Sequence, residues 1–289
     1  MANPSPLRYP GGKYKTFNYI KKLVKENNCS TYIEPFAGGA AVALELLLND
    51  HVKKIIINDI DRSIYALWYS ILYNTNELIE LIERTDVNIQ EWRFQKNIQN
   101  EKTTSSLLLL GYSTLFLNRT NHSGIIKGGV MGGKEQKGNY KLDCRFNKTK
   151  LIEKISIISQ KKHKIELHNL DALQFIELVI KKTRQSFTFF DPPYFAKGPS
   201  LYTDFYKEND HEVLAKKIKL SLKNRHWIVT YDKSIEIKSF YSRYPYFEYY
   251  LSYTAQNKTK GIEYMFFSEK TKISDPNNLL NLLEEQTVI

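Results

Sequence analysis

Two rhythms of apolar and polar positions alternate along this chain. Short runs rich in β-branched and aromatic residues recur at TYIEPF (31–36), KKIIIND (53–59), KIELHN (164–169), SFTFFD (186–191), HWIVTYD (226–232), FEYYLSY (247–253) and GIEYMFF (261–267). Between most of them lie stretches whose apolar residues fall three and four apart, such as AAVALELLLN, DALQFIELVIKK and DHEVLAKKIKLSLKN. Alternating strand and helix patterns predict an α/β fold built on a doubly wound, mostly parallel sheet. The last two runs are separated by only a short polar stretch containing Gly261, too little for a helical crossover, so they are expected to pair as an antiparallel hairpin.

One gap breaks the rhythm. Roughly a hundred residues separate Asp59 from Lys164, far more than a helical crossover needs, which predicts a domain inserted over 62–163 into a fold formed by 1–61 and 164–289. The first half of the insert, RSIYALWYSILYNTNELIELIERT and SSLLLLGYSTLFLN, has helical periodicity. The second half, NHSGIIKGGVMGGKEQKGNYK, is glycine-rich and basic and reads as a loop or ribbon. The tail ISDPNNLLNLLEEQTVI reads as a capped terminal helix.

Composition narrows the class. An apolar content of 42% in 289 residues supports a sizeable core, and no run approaches eighteen uninterrupted apolar residues. The N-terminus lacks the charged-then-apolar order of a signal peptide, so a cytoplasmic protein without membrane association is expected. Cys29 and Cys144 have no metal or redox spacing and read as structural. The formal charge is +11, and the segment from Arg119 to Lys164 contributes net +9 of it, with twelve Lys or Arg against Glu135, Asp143 and Glu153. Such concentration is the footprint of a polyanion-binding surface; a solvated lysine-rich face is the bland alternative.

Three segments carry candidate chemistry. Glu34-Pro-Phe36-Ala-Gly38-Gly39 closes the first strand and opens a helix, and Asp59 ends the second strand about twenty residues on, where an acidic side chain can hold a ribose. Nicotinamide, flavin and S-adenosylmethionine proteins all share such a turn, although FAGG in place of GxGxxG argues against a dinucleotide pyrophosphate. In PLRYPGGK, Tyr9 can pack beside a cofactor, Gly11 and Gly12 allow close backbone approach, and Lys13 can meet a carboxylate; a plain surface turn is the alternative. The third segment is Asp191-Pro192-Pro193-Tyr194, a carboxylate, two residues without backbone donors and an aromatic ring directly after a core strand.

Taken in order, RYPGGK, EPFAGG, NDID, a long insert containing FLNRTNHSG, and DPPY resemble the Dam-type DNA adenine-N6 methyltransferases (D12 class, alpha group), over nearly the whole chain. The resemblance implies an S-adenosylmethionine site formed by Tyr9, Gly11, Gly12, Lys13, Glu34, Phe36, Gly38, Gly39, Asp59 on the ribose, Asp171 near the adenine of the cofactor, and Asp191. It implies a catalytic motif at Asp191, Pro192, Pro193 and Tyr194. The insert becomes a target-recognition domain for double-stranded DNA, with Asn118, Arg119 and Asn121 at the start of the contacting region and Lys127, Lys134 and Lys137 on the basic loop. Tyr9 stands where Dam enzymes usually have Trp, and Ile125 to Gly133 departs from the portion that reads GATC, so the recognition sequence does not carry over.

The chemistry suits these residues. The exocyclic nitrogen of adenine is a poor nucleophile because its lone pair is delocalised, and hydrogen bonds from N6 to the Asp191 carboxylate and the Pro192 carbonyl would localise that pair toward the methyl donor. An ordinary ionised carboxylate suffices. The target atom is inaccessible in a duplex, so base flipping is implied, with Tyr194 stacking on the extruded adenine. Tyr202 and Phe205, in the polar loop that follows, are candidates for DNA contact, and His211 reads as structural. The enzyme would act alone or beside a cognate restriction endonuclease, associated with the nucleoid through DNA. The alternatives are methylation of RNA or of cytosine N4, and a nicotinamide-dependent oxidoreductase, which would leave DPPY and the basic insert without purpose.

Overall fold

The computed structural model describes residues 3–8, 12–195, 206–254 and 258–283. Seven strands form one sheet: β1 (Thr31–Glu34), β2 (Lys54–Asn58), β3 (Ile165–His168), β4 (Ser186–Phe190), β5 (His226–Asp232), β6 (Tyr246–Thr254) and β7 (Lys258–Phe267). Their order is β3-β2-β1-β4-β5-β7-β6. The first five are parallel, and β7 lies antiparallel between β5 and β6, as the short connection requires.

Successive residues of the parallel strands enter cores on opposite faces. Tyr32, Ile55, Ile57, Phe187, Phe189 and Ile228 join one cluster, whereas Ile33, Ile56, Phe190, Trp227 and Val229 join the other. Burial on both faces explains why SFTFF is continuously buried rather than alternating. Helices α1 (Phe17–Glu26) and α2 (Ala41–Leu48) cover the first face, and the helices Glu208–Ser221 and Ile235–Phe240 cover the second.

Residues 62–163 supply α3 (Arg62–Tyr73), α4 (Thr75–Arg84), α5 (Ile89–Asn100), α6 (Leu107–Thr120) and α7 (Lys148–Gln160). Asp61, Asn88, Ser106 and Asn147 cap four of these helices, each accepting a backbone N–H of the first turn. Gly111 permits the close approach of α6 to α3, since a Cβ there would lie 2.5 Å from the Ala66 carbonyl oxygen. Leu67, Trp68, Ile71 and Phe116 share a core cluster with Tyr32, Ala43 and Ile55, so the helical region is packed into the sheet's own core. Residues 121–147 form turns and short 3-10 segments, with one isolated bridge between Asn121 and Val130. No helix among the described residues is long and apolar enough to cross a membrane.

The expected terminal helix is not formed over the described tail, 273–283. Instead Asn281 O accepts from Tyr250 N at 2.7 Å, Leu283 N donates to Glu248 O at 3.1 Å, and Leu282 bridges Tyr249. Strand β6 is the edge of the sheet and has backbone groups to satisfy, and the tail satisfies them while Leu279, Leu280 and Leu282 pack on the core. A helix would leave that edge bare.

Candidate active site

The carboxyl ends of β1, β2 and β4 open onto a cavity of about 520 Å³. Such a position, outside the strand ends of an open α/β sheet, is where ligands of these folds bind, and the volume lies in the range of small-molecule sites. Gly12, Lys13, Glu34, Phe36, Gly39, Asp59, Asp171, Asp191 and Pro193 all line it, so most of the residues singled out in the sequence converge here. Tyr9 and Gly11 lie outside the described residues, as do Tyr202 and Phe205.

The glycine turn is braced from three sides. Gly38 takes φ +44°, in the left-handed region that favours glycine, and its N–H donates to Asp59 Oδ2 at 2.9 Å. Asp59 Oδ1 accepts from Asp61 N at 3.0 Å, so this carboxylate holds the turn while also facing the cavity. Asn58 Nδ2 donates to the Pro35 carbonyl at 2.9 Å. Trp68 of α3 donates its indole N–H to Gly38 O at 2.9 Å, tying the insert to the turn. Glu34 is buried at the cavity wall, and its Oε1 accepts from Ala43 N. Burial pushes its pKa up to about 8, so it is mostly protonated near neutrality. Asp171 caps the helix that follows it, accepting from Leu173 N at 2.8 Å, and Phe36 meets Tyr206 edge-on at 5.8 Å.

At the end of β4 the polar groups form one connected cluster. Asp191 Oδ1 accepts from Lys13 Nζ at 2.8 Å and from Thr230 Oγ1 at 2.8 Å. Both of these bonds fall on one oxygen; Asp191 lines the cavity and its side chain is 25% exposed. Burial raises the pKa of Asp191, Lys13 counters, and Glu263 adds to the rise. The carboxylate is therefore less acidic than the ordinary one expected from sequence, because it lies against the core with a second acid nearby. Lys13 Nζ also lies 3.5 Å from Glu263 Oε1. Tyr194 is 4% exposed, its hydroxyl donating to Glu263 Oε1 at 2.9 Å with Lys13 Nζ 5.0 Å from its ring centroid.

The insert residues divide sharply. Asn118 is buried: its Nδ2 donates to the carbonyls of Arg8 and Gly124, both at 2.8 Å, and its Oδ1 accepts from Arg8 N at 2.8 Å. Asn121 is fully buried, with Oδ1 accepting from Trp92 Nε1 at 2.7 Å and Nδ2 donating to the carbonyls of Ile125 and Ile126. Both amides are hydrogen-bonded within the protein and brace loops, and Asn118 also lines the first cavity. Gly124, at φ +80°, completes this crossing, since a Cβ there would lie 2.3 Å from Arg8 O.

Arg119 donates Nε–H to Pro6 O at 2.7 Å, and burial together with Arg8 and Arg145 lowers its pKa to about 10. Among the described residues no carboxylate pairs with Arg8, Arg119 or Arg145, and Arg8 Nη1 is buried without an acceptor. Arg8 and Arg145 line a second hollow of about 580 Å³ with His122 and the Gly132-Gly133 backbone. Lys127 sits at the rim of the first cavity, and Lys134 and Lys137 are exposed on the glycine-rich segment. His211 is buried against Tyr231 and neutral at pH 7, its pKa lowered to about 4 by burial. Cys29 is buried and Cys144 exposed.

Sequence reasoning missed Trp68, Thr230 and Glu263. Trp68 carried no signal, being one apolar helix position among many. Glu263 had one: a lone charge in the otherwise apolar and aromatic run GIEYMFF.

The doubly wound sheet with its antiparallel hairpin, the glycine turn and the carboxylate at the strand edge define an α/β methyltransferase fold. A model of the D12 class N6 adenine-specific DNA methyltransferases matches residues 9–259, and the chain belongs to this family. It is a methyltransferase that modifies adenine N6 in DNA; RNA, cytosine N4 and nicotinamide chemistry are not favoured. Among relatives, the Type II methyltransferase M.MjaIII of Methanocaldococcus jannaschii is 26% identical over 65% of this chain and 68% of that protein. The Modification methylase StsI of Streptococcus sanguinis is 35% identical over 32% of this chain and 13% of that longer protein. Type II methyltransferase M.CviBI of Paramecium bursaria Chlorella virus NC1A is 21% identical over 69% of this chain and 70% of its own. Among solved structures, a putative methylase from Haemophilus influenzae aligns over 87% of this chain and 97% of its own at 12% identity, TM-score 0.32. The rRNA methyltransferase aviRa from Streptomyces viridochromogenes aligns over 86% of this chain and 83% of its own at 10% identity, TM-score 0.33.

Proposed function

We propose that the cavity at the ends of β1, β2 and β4 binds S-adenosylmethionine and that Asp191 receives an adenine flipped out of double-stranded DNA. The observation that carries this reading is that Asp191 lines the cavity while both its Lys13 and Thr230 contacts fall on Oδ1, which leaves Oδ2 as the acceptor for N6. The cavity fits the cofactor in kind: a left-handed glycine turn admits a ligand close to the backbone, and Asp59 and Asp171 on its wall offer acceptors for hydroxyl and amino groups. When bound there, the cofactor supplies an electrophilic methyl group on a sulfonium.

The chain's own residues supply the rest. Asp191 Oδ2 and the Pro192 carbonyl accept the two N6–H bonds and favour a nitrogen whose lone pair projects toward the methyl group. Pro192 and Pro193 fix their φ angles and bring no competing N–H. Tyr194 is 4% exposed and tied by its hydroxyl to Glu263, so its ring stacks on the extruded base only after the groups covering it move aside, and that contact then offsets part of the unstacking cost. Residues 62–163 act as the target-recognition domain. The hollow between Arg8 and Arg145 accepts a backbone phosphate, which supplies the anion that these unpaired guanidiniums call for. Lys127, Lys134 and Lys137 add affinity through counterion release. The enzyme serves either alone or in a restriction-modification pair with a cognate endonuclease, associated with the nucleoid through its DNA.

The test is to incubate the protein with duplex DNA and methyl-labelled S-adenosylmethionine and to resolve the nucleosides by mass spectrometry. Label in N6-methyladenine is expected. Label on cytosine alone, or no transfer from S-adenosylmethionine, would overturn the reading.

A further inference from the structure

Lys13 presents a problem for the chemistry. Methyl transfer moves positive charge onto the nitrogen: the N6 lone pair becomes the N–C bond, the C–S pair stays with sulfur, and one positive charge passes from sulfur to N6. The surplus N6 proton then leaves through Asp191 Oδ2 to water. An anion beside N6 lowers that barrier, yet Lys13 Nζ lies 2.8 Å from Asp191 and would cancel its charge.

A second carboxylate stands on the other side of the ammonium. Glu263 is fully buried in β7 and puts Oε1 3.5 Å from Lys13 Nζ. It is held by hydroxyls on both oxygens, Tyr194 donating to Oε1 at 2.9 Å and Tyr249 to Oε2 at 2.7 Å. The antiparallel return of β7 puts Glu263 there: it is in register with Asp232 of β5 and Tyr249 of β6. Resting on the reaction proposed above, we infer that Glu263 is a positioning residue that takes up the charge of Lys13, so that the Lys13–Asp191–Glu263 cluster keeps one net negative charge facing N6. Lys13 then orients Asp191 without neutralising it, and the same carboxylate anchors Tyr194.

The other titratable groups near Asp191 leave this balance intact. Glu34 is mostly protonated near neutrality, and burial holds the hydroxyls of Tyr32 and Tyr231 well above their ordinary pKa and therefore neutral. The negative charge of Glu263 raises the Asp191 pKa and the positive charge of Lys13 lowers it, so removing Glu263 takes away a contribution that opposes the ammonium.

Single-turnover methylation at saturating donor and duplex, across the acid limb of the pH profile, tests the inference in wild type, Glu263→Gln and Glu263→Asp. Glu263→Gln is expected to slow transfer on the order of 10²-fold, the scale of losing a preorganised charge-stabilising group. Its DNA and donor affinities should stay within about twofold, and its acid limb should move to lower pH. Glu263→Asp, which keeps a carboxylate at that strand position, should recover most of the rate. If Glu263→Gln fails to fold, Glu263→Asp, which keeps the charge, still decides: a rate about one-hundredth of wild type or lower overturns the inference. Wild-type speed in Glu263→Gln, or a Glu263→Asp variant no faster than Glu263→Gln, overturns the inference. A wild-type protein that puts no methyl on adenine fails the functional reading instead.

Discussion

Two short polar runs, DPPY after β4 and NRTN at the end of α6, look alike as sequence signals and meet opposite fates. At the strand edge, Asp191 lines an open cavity with its side chain 25% exposed. At the helix end, Asn118 and Asn121 spend their amides on Arg8, Gly124, Ile125, Ile126 and Trp92. The difference follows from backbone geometry. Where parallel strands end, neighbouring loops splay to opposite faces and leave a crevice that side chains can face. Where a helix ends against a crossing segment, loop carbonyls and N–H groups are buried without a ladder, and short amides are the residues that satisfy them. Polar side chains of the first kind are free to do chemistry, and those of the second kind hold the shape.

Asp191→Ala tests the first half of the comparison and carries the largest expected effect. Methyl transfer should fall on the order of 10²- to 10³-fold while DNA and donor binding persist, read by label incorporation and by calorimetry. In the intact enzyme, activity should be lost as pH falls through the raised pKa of Asp191, at a higher pH than an exposed aspartate would give. Near-normal turnover in the variant would place Asp191 with the braces. Asn118→Ala tests the second half. Loss of three hydrogen bonds, one buried and two part-buried, should cost about 2–3 kcal/mol in denaturant unfolding, with a smaller effect on turnover per folded molecule. Full stability with altered site choice would return Asn118 to the DNA interface. The smallest effect is expected from Lys134→Gln/Lys137→Gln, which touch neither region: binding should weaken uniformly across sequences, and the slope of log affinity against log salt should drop by about 2. An unchanged slope would remove both lysines from the phosphate contacts.

Much of the site was legible because its elements are local. EPFAGG is a strand end, a turn and a helix start in consecutive residues, and the spacing from Glu34 to Asp59 is that of one βαβ unit. The tail was misread because LLNLLEE has helical spacing, while the demand of the β6 edge for backbone partners is invisible from the tail itself. Trp68 and Thr230 reach the site only through packing, one from α3 and the other from β5.

The order of strands and helices, the antiparallel hairpin and the motif residues were set by periodicity and connection length, properties each short segment carries alone. The partnership of Lys13, Asp191 and Glu263 was decided by the tertiary structure. Their positions lie 178 and 72 residues apart along the chain, and only the insertion of β7 beside β5 brings the three charges into one buried cluster, where low dielectric makes their balance matter.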